Sequence, residues 1–406
     1  MRYFLPAILV CCSLVSLAQF KNDNVLFKTV SIEDLCAQLK ATPNAVLLDV
    51  RSKGEYEDTS TFTNLNIGRL KKAIHLDINE MPTRWRELTP YKDRPLYVMC
   101  SHSQRSRRVS KMLADSGFTN IINVNGGLST YNILSSAQAL CKDQLYETNN
   151  SYKLVSPLDL CNFVSANKDV FVLDVRSDSA YRGIASDERQ NAPGKLKAAV
   201  NIPMASLSGS LASVPASKKI LIVDDFGNES PKAARLLVEK GYKDVHVLFN
   251  GMDLLTGRSR AEIPCSGNLV NKLVRYQVMA ADEFDALVRK DKNITIVDVR
   301  PAEEFTNQSK TAWRNIGQIN NAVNIPWAEF EKRSGELGAA KGKPVILYHF
   351  SSATDAFKAA KHLSDQGFQK VYVLAGGLFN LRWQAANLKG RSQFKDHVVN
   401  VPAENL

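Results

Sequence analysis

Short apolar runs without polar alternation recur along the chain, each followed by a polar loop and then by helical spacing. Early in the chain they cover 46–48, 95–99 and 121–124. Runs this short that do not alternate suit strands covered on both faces, as in a parallel sheet. Between the second and third, Val109, Met112 and Leu113 stand at i, i+3 and i+4. That spacing predicts a helix over 106–116, with Gly117 as its stop signal. Strand–helix alternation implies an α/β fold with right-handed crossovers and helices on both faces.

The pattern then repeats. Val46-Leu47-Leu48-Asp49-Val50-Arg51 returns as Val172-Leu173-Asp174-Val175-Arg176 and as Ile296-Val297-Asp298-Val299-Arg300, with the aspartates 125 and 124 residues apart. Gly68/Ala73, Gly194/Ala199 and Gly317/Ala322 keep the same interval, and so do Gly126-Gly127, Asn250-Gly251 and Gly376-Gly377. A period of this length is a domain in triplicate rather than a solenoid repeat. We expect domains over 26–136, 152–262 and 276–390, linkers near 135–151 and 263–275, and a C-terminal tail over 391–406. Asp49, Asp174 and Asp298 with Arg51, Arg176 and Arg300 occur in every repeat, which predicts structural ion pairs.

Composition narrows the class. The chain has 406 residues, 44% hydrophobic and 23% charged, the balance of an ordinary globular protein. The formal charge of +11 is spread out, without a long basic run, so small anions fit better than nucleic acid. Arg2, the apolar stretch 3–17 and Ser16-Leu17-Ala18 predict a signal peptide over 1–18, cleaved after Ala18. The mature protein is expected to be periplasmic or secreted and not membrane-spanning. Seven cysteines then become five: Cys36, Cys100, Cys141, Cys161 and Cys265. An odd number without CxxC spacing suggests neither a disulfide framework nor a metal site. Cys36 and Cys161 occupy equivalent helix positions, taken by Phe284 in the third repeat, and read as core residues. Cys141 and Cys265 read as surface linker thiols, an interdomain disulfide being the alternative.

The chemistry lies in the first repeat. Strand 95–99 leads into Cys100-Ser101-His102-Ser103-Gln104-Arg105-Ser106 and then a helix. Ligands bind beyond the carboxyl ends of parallel strands. A cysteine there faces unpaired helix amides and the positive end of the helix dipole, which favour a thiolate. Successive loop amides can form a nest for an anion, and Arg105 adds a fork of donors. Ser101, Ser103 and Ser106 leave room for a ligand, and His102 reads as a solvent-facing residue. Cys100 is therefore the candidate nucleophile, with Ser101, His102, Ser103, Gln104, Arg105 and Ser106 as the candidate substrate-binding loop.

This loop resembles the active-site loop of the rhodanese family, Cys-x-x-Gly-x-Arg-Ser, with Ser103 in place of the common glycine. The 48–51 start, the Gly68/Ala73 segment and Gly126-Gly127 are also similar to that family, and the resemblance extends over all three repeats. It implies three tandem rhodanese-like domains, each a five-stranded parallel sheet flanked by helices. It implies a sulfurtransferase forming a persulfide on Cys100 from a small anionic donor such as thiosulfate, with cyanide, a thiol or a partner protein as acceptor. No cofactor is implied. Four residues separate Cys100 from Arg105, where related phosphatases have five, and the shorter ring suits a single sulfur atom.

The other two repeats lack the nucleophile. Asp224 stands at the Cys100 position with Glu229 in place of Arg105, and His349 stands there in the third repeat, in a loop one residue longer. Both are expected to be silent and to complete the entrance to the active loop or hold it in place. A scaffold or binding protein whose domains no longer catalyse is the alternative.

Overall fold

The computed structural model describes residues 26–403. The expected leader and its cleavage point lie outside them. In the first repeat the elements are β1 (Lys28–Ser31), α1 (Leu35–Ala41), β2 (Val46–Asp49), α2 (Lys53–Tyr56), β3 (Arg69–Leu70), β4 (Ile74–His75), α3 (Met81–Arg84), β5 (Leu96–Met99), α4 (Gln104–Asp115), β6 (Ile121–Asn125), α5 (Gly127–Ile133), α6 (Lys142–Leu145) and β7 (Tyr146–Glu147). The order β1-β6-β5-β2-β4 forms a five-stranded sheet, parallel throughout. The second and third repeats rebuild this parallel sheet. Every residue of β5 is buried, as the unalternating pattern requires.

The two faces of the first sheet carry separate cores. Leu96, Val98 and Cys100 pack with Val109 and Leu113 of α4, while Tyr97 and Met99 pack with Leu128 and Tyr131 of α5. Strand alternation thus places Cys100 on the α4 side of the central strand. Beneath it, Asp49 and Arg51 form a fully buried ion pair at 2.8 Å, and the Arg51 guanidinium also donates to the Gly68 carbonyl. Arg176–Asp174 and Arg300–Asp298 repeat the pair at 2.7 Å.

The segments expected to be linkers and tail belong to the repeats. Tyr146–Glu147 pairs antiparallel with Arg69–Leu70, Val270–Asn271 with Lys195–Leu196, and Val398–Val399 with Gln318–Ile319. A two-residue strand is too short to leave a periodic pattern in the sequence. Close contact with this strand fixes Gly68, where a Cβ would lie 2.4 Å from the Tyr146 ring.

The cysteines also pair otherwise than expected. Cys36 is bonded to Cys141 and Cys161 to Cys265, with Cα–Cα distances of 5.9 and 5.7 Å. The sulfurs expected in the core and those expected in linkers are partners within one repeat. In the third repeat, the Phe284 ring meets His397 edge-on at 5.2 Å instead. Cys100 is the free cysteine of the described residues.

Each repeat touches the other two. Arg235 donates to the Asp58 carbonyl, Tyr276 to the Glu188 carboxylate, and Lys389 pairs with Asp34. Among the described residues no helix is long and apolar enough to cross a membrane. Peptide mapping without reductant is expected to recover the Cys36–Cys141 and Cys161–Cys265 peptides. Cys161→Ser should destabilise the second repeat by about 2–4 kcal/mol in urea unfolding; a Cys141–Cys265 peptide would contradict the pairing.

Candidate active site

The loop from Cys100 to Ser106 crosses from the end of β5 into α4. Its carbonyls are tied down: Leu128 N–H donates to Cys100 and Ser129 N–H to Ser101, each at 3.0 Å. These bonds bring the start of α5 against the loop. A Cβ on Gly127 would lie 2.4 Å from the Cys100 carbonyl, so only glycine permits the approach.

Ser103 adopts φ +78°, ψ −25°, the left-handed conformation that the common glycine would enter without strain. The serine has its own compensation, because its Oγ accepts the Gly126 N–H at 2.7 Å. The left-handed conformation of a serine there is offset by a bond glycine cannot make.

Cys100 is 1% exposed, and its Sγ lies 3.6 Å from Ser106 Oγ. Ser106 in turn donates its single proton toward Asn123 Oδ1 at 2.8 Å or the Ser103 carbonyl at 3.0 Å. Asn123 donates to Asn125 Oδ1, and Asn125 to the carbonyl of Ala386 in the third repeat. This relay exists only beside the cysteine: Val247 and Val373 occupy the Asn123 position in the other repeats.

Arg105 is braced. Its terminal nitrogens reach the two oxygens of Glu55 at 2.5 and 2.7 Å, and one also reaches Ser101 Oγ at 2.8 Å. The hydrogen bond it donates to Glu55 raises the Arg105 pKa. Burial of Glu55 opposes its ionisation, but the bond and charge of Arg105 overcome it and hold its pKa below the usual value. Glu55 also caps α2 through Ser52, so one carboxylate fixes both the helix and the loop. The guanidinium stays close enough to Cys100 for the two to interact electrostatically.

His102 is exposed at the loop's edge, with Nδ1 2.9 Å from Ser101 Oγ. Crowding by protein atoms, then the Arg105 charge, push its pKa down to about 4, so it is neutral near pH 7. Its carbonyl accepts the indole N–H of Trp383 from the third repeat at 3.0 Å. Gln104 opens α4 and lines the cavities between repeats.

The second repeat shows where the loop amides point. Asp224 occupies the Cys100 position and accepts from the backbone N–H groups of Gly227, Glu229 and Ser230 at 2.8, 2.6 and 3.0 Å. Burial raises its pKa, and these three amides oppose that shift. The equivalent positions in the first repeat are Ser103, Arg105 and Ser106. His349 fills the third loop, 7% exposed, and its pKa is lowered mainly by burial.

The model of the Rhodanese-like domain family matches residues 32–133, 158–256 and 280–385. The chain belongs to the rhodanese-like family. One relative, the thiosulfate sulfurtransferase GlpE of Coxiella burnetii, is 32% identical over 102 residues, covering 25% of this chain and 83% of that protein. GlpE of Tolumonas auensis is 30% identical over 101 residues, covering 25% and 84%. Among solved structures, a thiosulfate sulfurtransferase from Pseudomonas aeruginosa aligns with 93% of this chain and 69% of its own, at 16% identity and a TM-score of 0.21. The family model and the GlpE relatives place these domains in a rhodanese-like sulfurtransferase family.

Glu55, Asn123, Asn125 and Trp383 were not singled out from the sequence. The two asparagines had a signal, being polar residues in an otherwise apolar strand run. Glu55 and Trp383 act across long separations and left none. Glu55→Gln is expected to lower sulfur transfer by about tenfold, the loss of one charge-assisted bond, without unfolding the repeat. An unchanged rate would remove Glu55 from the machinery.

Proposed function

We propose that the protein is an exported thiosulfate sulfurtransferase with one working centre, Cys100. The Cys100 thiolate attacks the outer sulfur of thiosulfate. The sulfur–sulfur bond of the donor breaks, sulfite leaves with the electron pair, and Cys100 carries a persulfide. Cyanide or a thiolate then takes the terminal sulfur, and the pair of the broken bond returns to Cys100 Sγ. The amides of Ser103, Arg105 and Ser106 hold the terminal sulfur anion.

One observation carries this reading. Asp224 already places a carboxylate in the same ring of amides in the second repeat. Oriented donors of this kind stabilise negative charge without reorganisation at the moment of reaction. An acid cannot form a persulfide, and neither can the His349 ring, so the second and third repeats are silent.

Intact mass after thiosulfate treatment is expected to rise by one sulfur, to fall again with cyanide, and to stay constant in Cys100→Ser. A persulfide in Cys100→Ser, or none in wild type, would refute the assignment.

Export after Ala18 to the periplasm or beyond is part of the proposal. The two disulfides support it, since such cross-links persist in oxidising compartments. The protein recovered from its producing cells should begin at Gln19; a chain beginning at Met1 would contradict cleavage.

A further inference from the structure

The three repeats face one another in cyclic order. In each, a short helical turn follows α2 or its counterpart: Thr63–Leu65, Glu188–Asn191 and Ala312–Arg314. A buried asparagine closes each turn in the same way, Asn66, Asn191 and Asn315 accepting from the backbone of Ser60, Ala185 and Ser309. Each turn is aimed at the strand-end loop of another repeat.

Two of these junctions are bridged by side-chain hydrogen bonds. Thr63 Oγ1 donates to the Asn228 carbonyl at 2.6 Å, inside the Asp224 loop. Thr354 Oγ1 donates to Asp187, and Arg189 donates to the Ser352 carbonyl at 3.3 Å, against the His349 loop. At the third junction, Trp313 and Ile316 face Ser103, Gln104, Arg107 and Arg108 across a cavity of about 570 Å³. This cavity adjoins the cysteine loop through Ser103 and Gln104, and a second one of about 550 Å³, lined by His102, Gln104, Arg189 and Ser352, lies beside it.

The far wall is aromatic. Phe350 stacks on Phe379 at 5.6 Å, and Trp313 meets Phe350 edge-on at 5.3 Å. Trp313 is 60% exposed although it is a large ring. The bond from Trp383 to the His102 carbonyl fixes a further ring beside the active loop. Three guanidinium groups, those of Arg107, Arg108 and Arg382, line the cavity, and no carboxylate does. Flat rings favour a planar apolar body. Guanidinium groups favour a carboxylate or similar anion.

We propose that this cavity seats the sulfur acceptor, and that the acceptor is an organic thiol with a planar, conjugated body and an acidic group. The proposal rests on the persulfide reading above. The acceptor thiol loses its proton to solvent, and its sulfur attacks the outer sulfur of the Cys100 persulfide. A new sulfur–sulfur bond forms on the acceptor and the old one breaks. The electron pair returns to Cys100 Sγ, so no oxidant or reductant is required.

The test loads the full chain with thiosulfate and measures sulfur removal by 2-mercaptobenzoate and by cyanide. In Trp313→Ala and in Arg108→Ala the ratio of the two rates should fall about fivefold or more, the scale of one stacking or ionic contact. Val200→Ser, on an exposed site of the second repeat, should keep the wild-type ratio. A ratio unmoved in both cavity variants overturns the proposal. Benzoate, which cannot take sulfur, should give saturation-transfer NMR signals with wild type that weaken in Trp313→Ala. If cyanide removes the sulfur normally while benzoate gives no signal, the cavity assignment alone falls. If no persulfide forms, the acceptor role falls together with the sulfurtransferase reading.

Discussion

The carbonyls of Cys100 and Ser101 are held by the amides of Leu128 and Ser129, and the rest of the site follows from that clamp. The clamp fixes the start of the loop, and in the second repeat the amides three, five and six residues into it turn into the ring. The same clamp joins Met252 to Asp224 and Leu378 to His349. It survives in all three repeats because it depends on backbone atoms and on Gly127, Gly251 and Gly377, whose missing Cβ atoms let the chains meet. What differs between repeats is the side chain placed in the ring.

On the proposed function, that difference gives one architecture one centre and two supports. Asp224 satisfies the ring internally, and a buried carboxylate bonded to three amides is part of the fold. Cys100 has hydroxyl and amide side chains beneath it, with an arginine braced by Glu55 alongside. The relay from Ser106 through Asn123 and Asn125 ends on a carbonyl of the third repeat. Trp383 bonds to the loop from the same repeat. The third repeat is thus in direct contact with the Cys100 loop.

Much of this was legible in the sequence because it rests on local or periodic patterns. The unalternating strand runs and the Asp–Arg pairs follow from residues near one another in the chain, and the 125-residue interval from repetition. Position 103 is a clear case: the sequence shows a serine where the family has glycine, but not the bond to Gly126 that supports it. The disulfides were missed because Cys36 and Cys141 are 105 residues apart, and nothing local marks the approach of α1 to the segment before β7. The closing strands were read as linkers because two residues cannot display a period. Glu55 and Trp383 reach the loop only through tertiary folding.

On the proposed function, the ring around Cys100 holds a sulfur anion as the second repeat holds a carboxylate. A crystal structure of the thiosulfate-treated protein, phased on the sulfur signal, tests it directly. A second sulfur is expected on Cys100 Sγ, accepting the N–H groups of Ser103, Arg105 and Ser106. An unmodified thiol, with those amides bonded elsewhere, would contradict it.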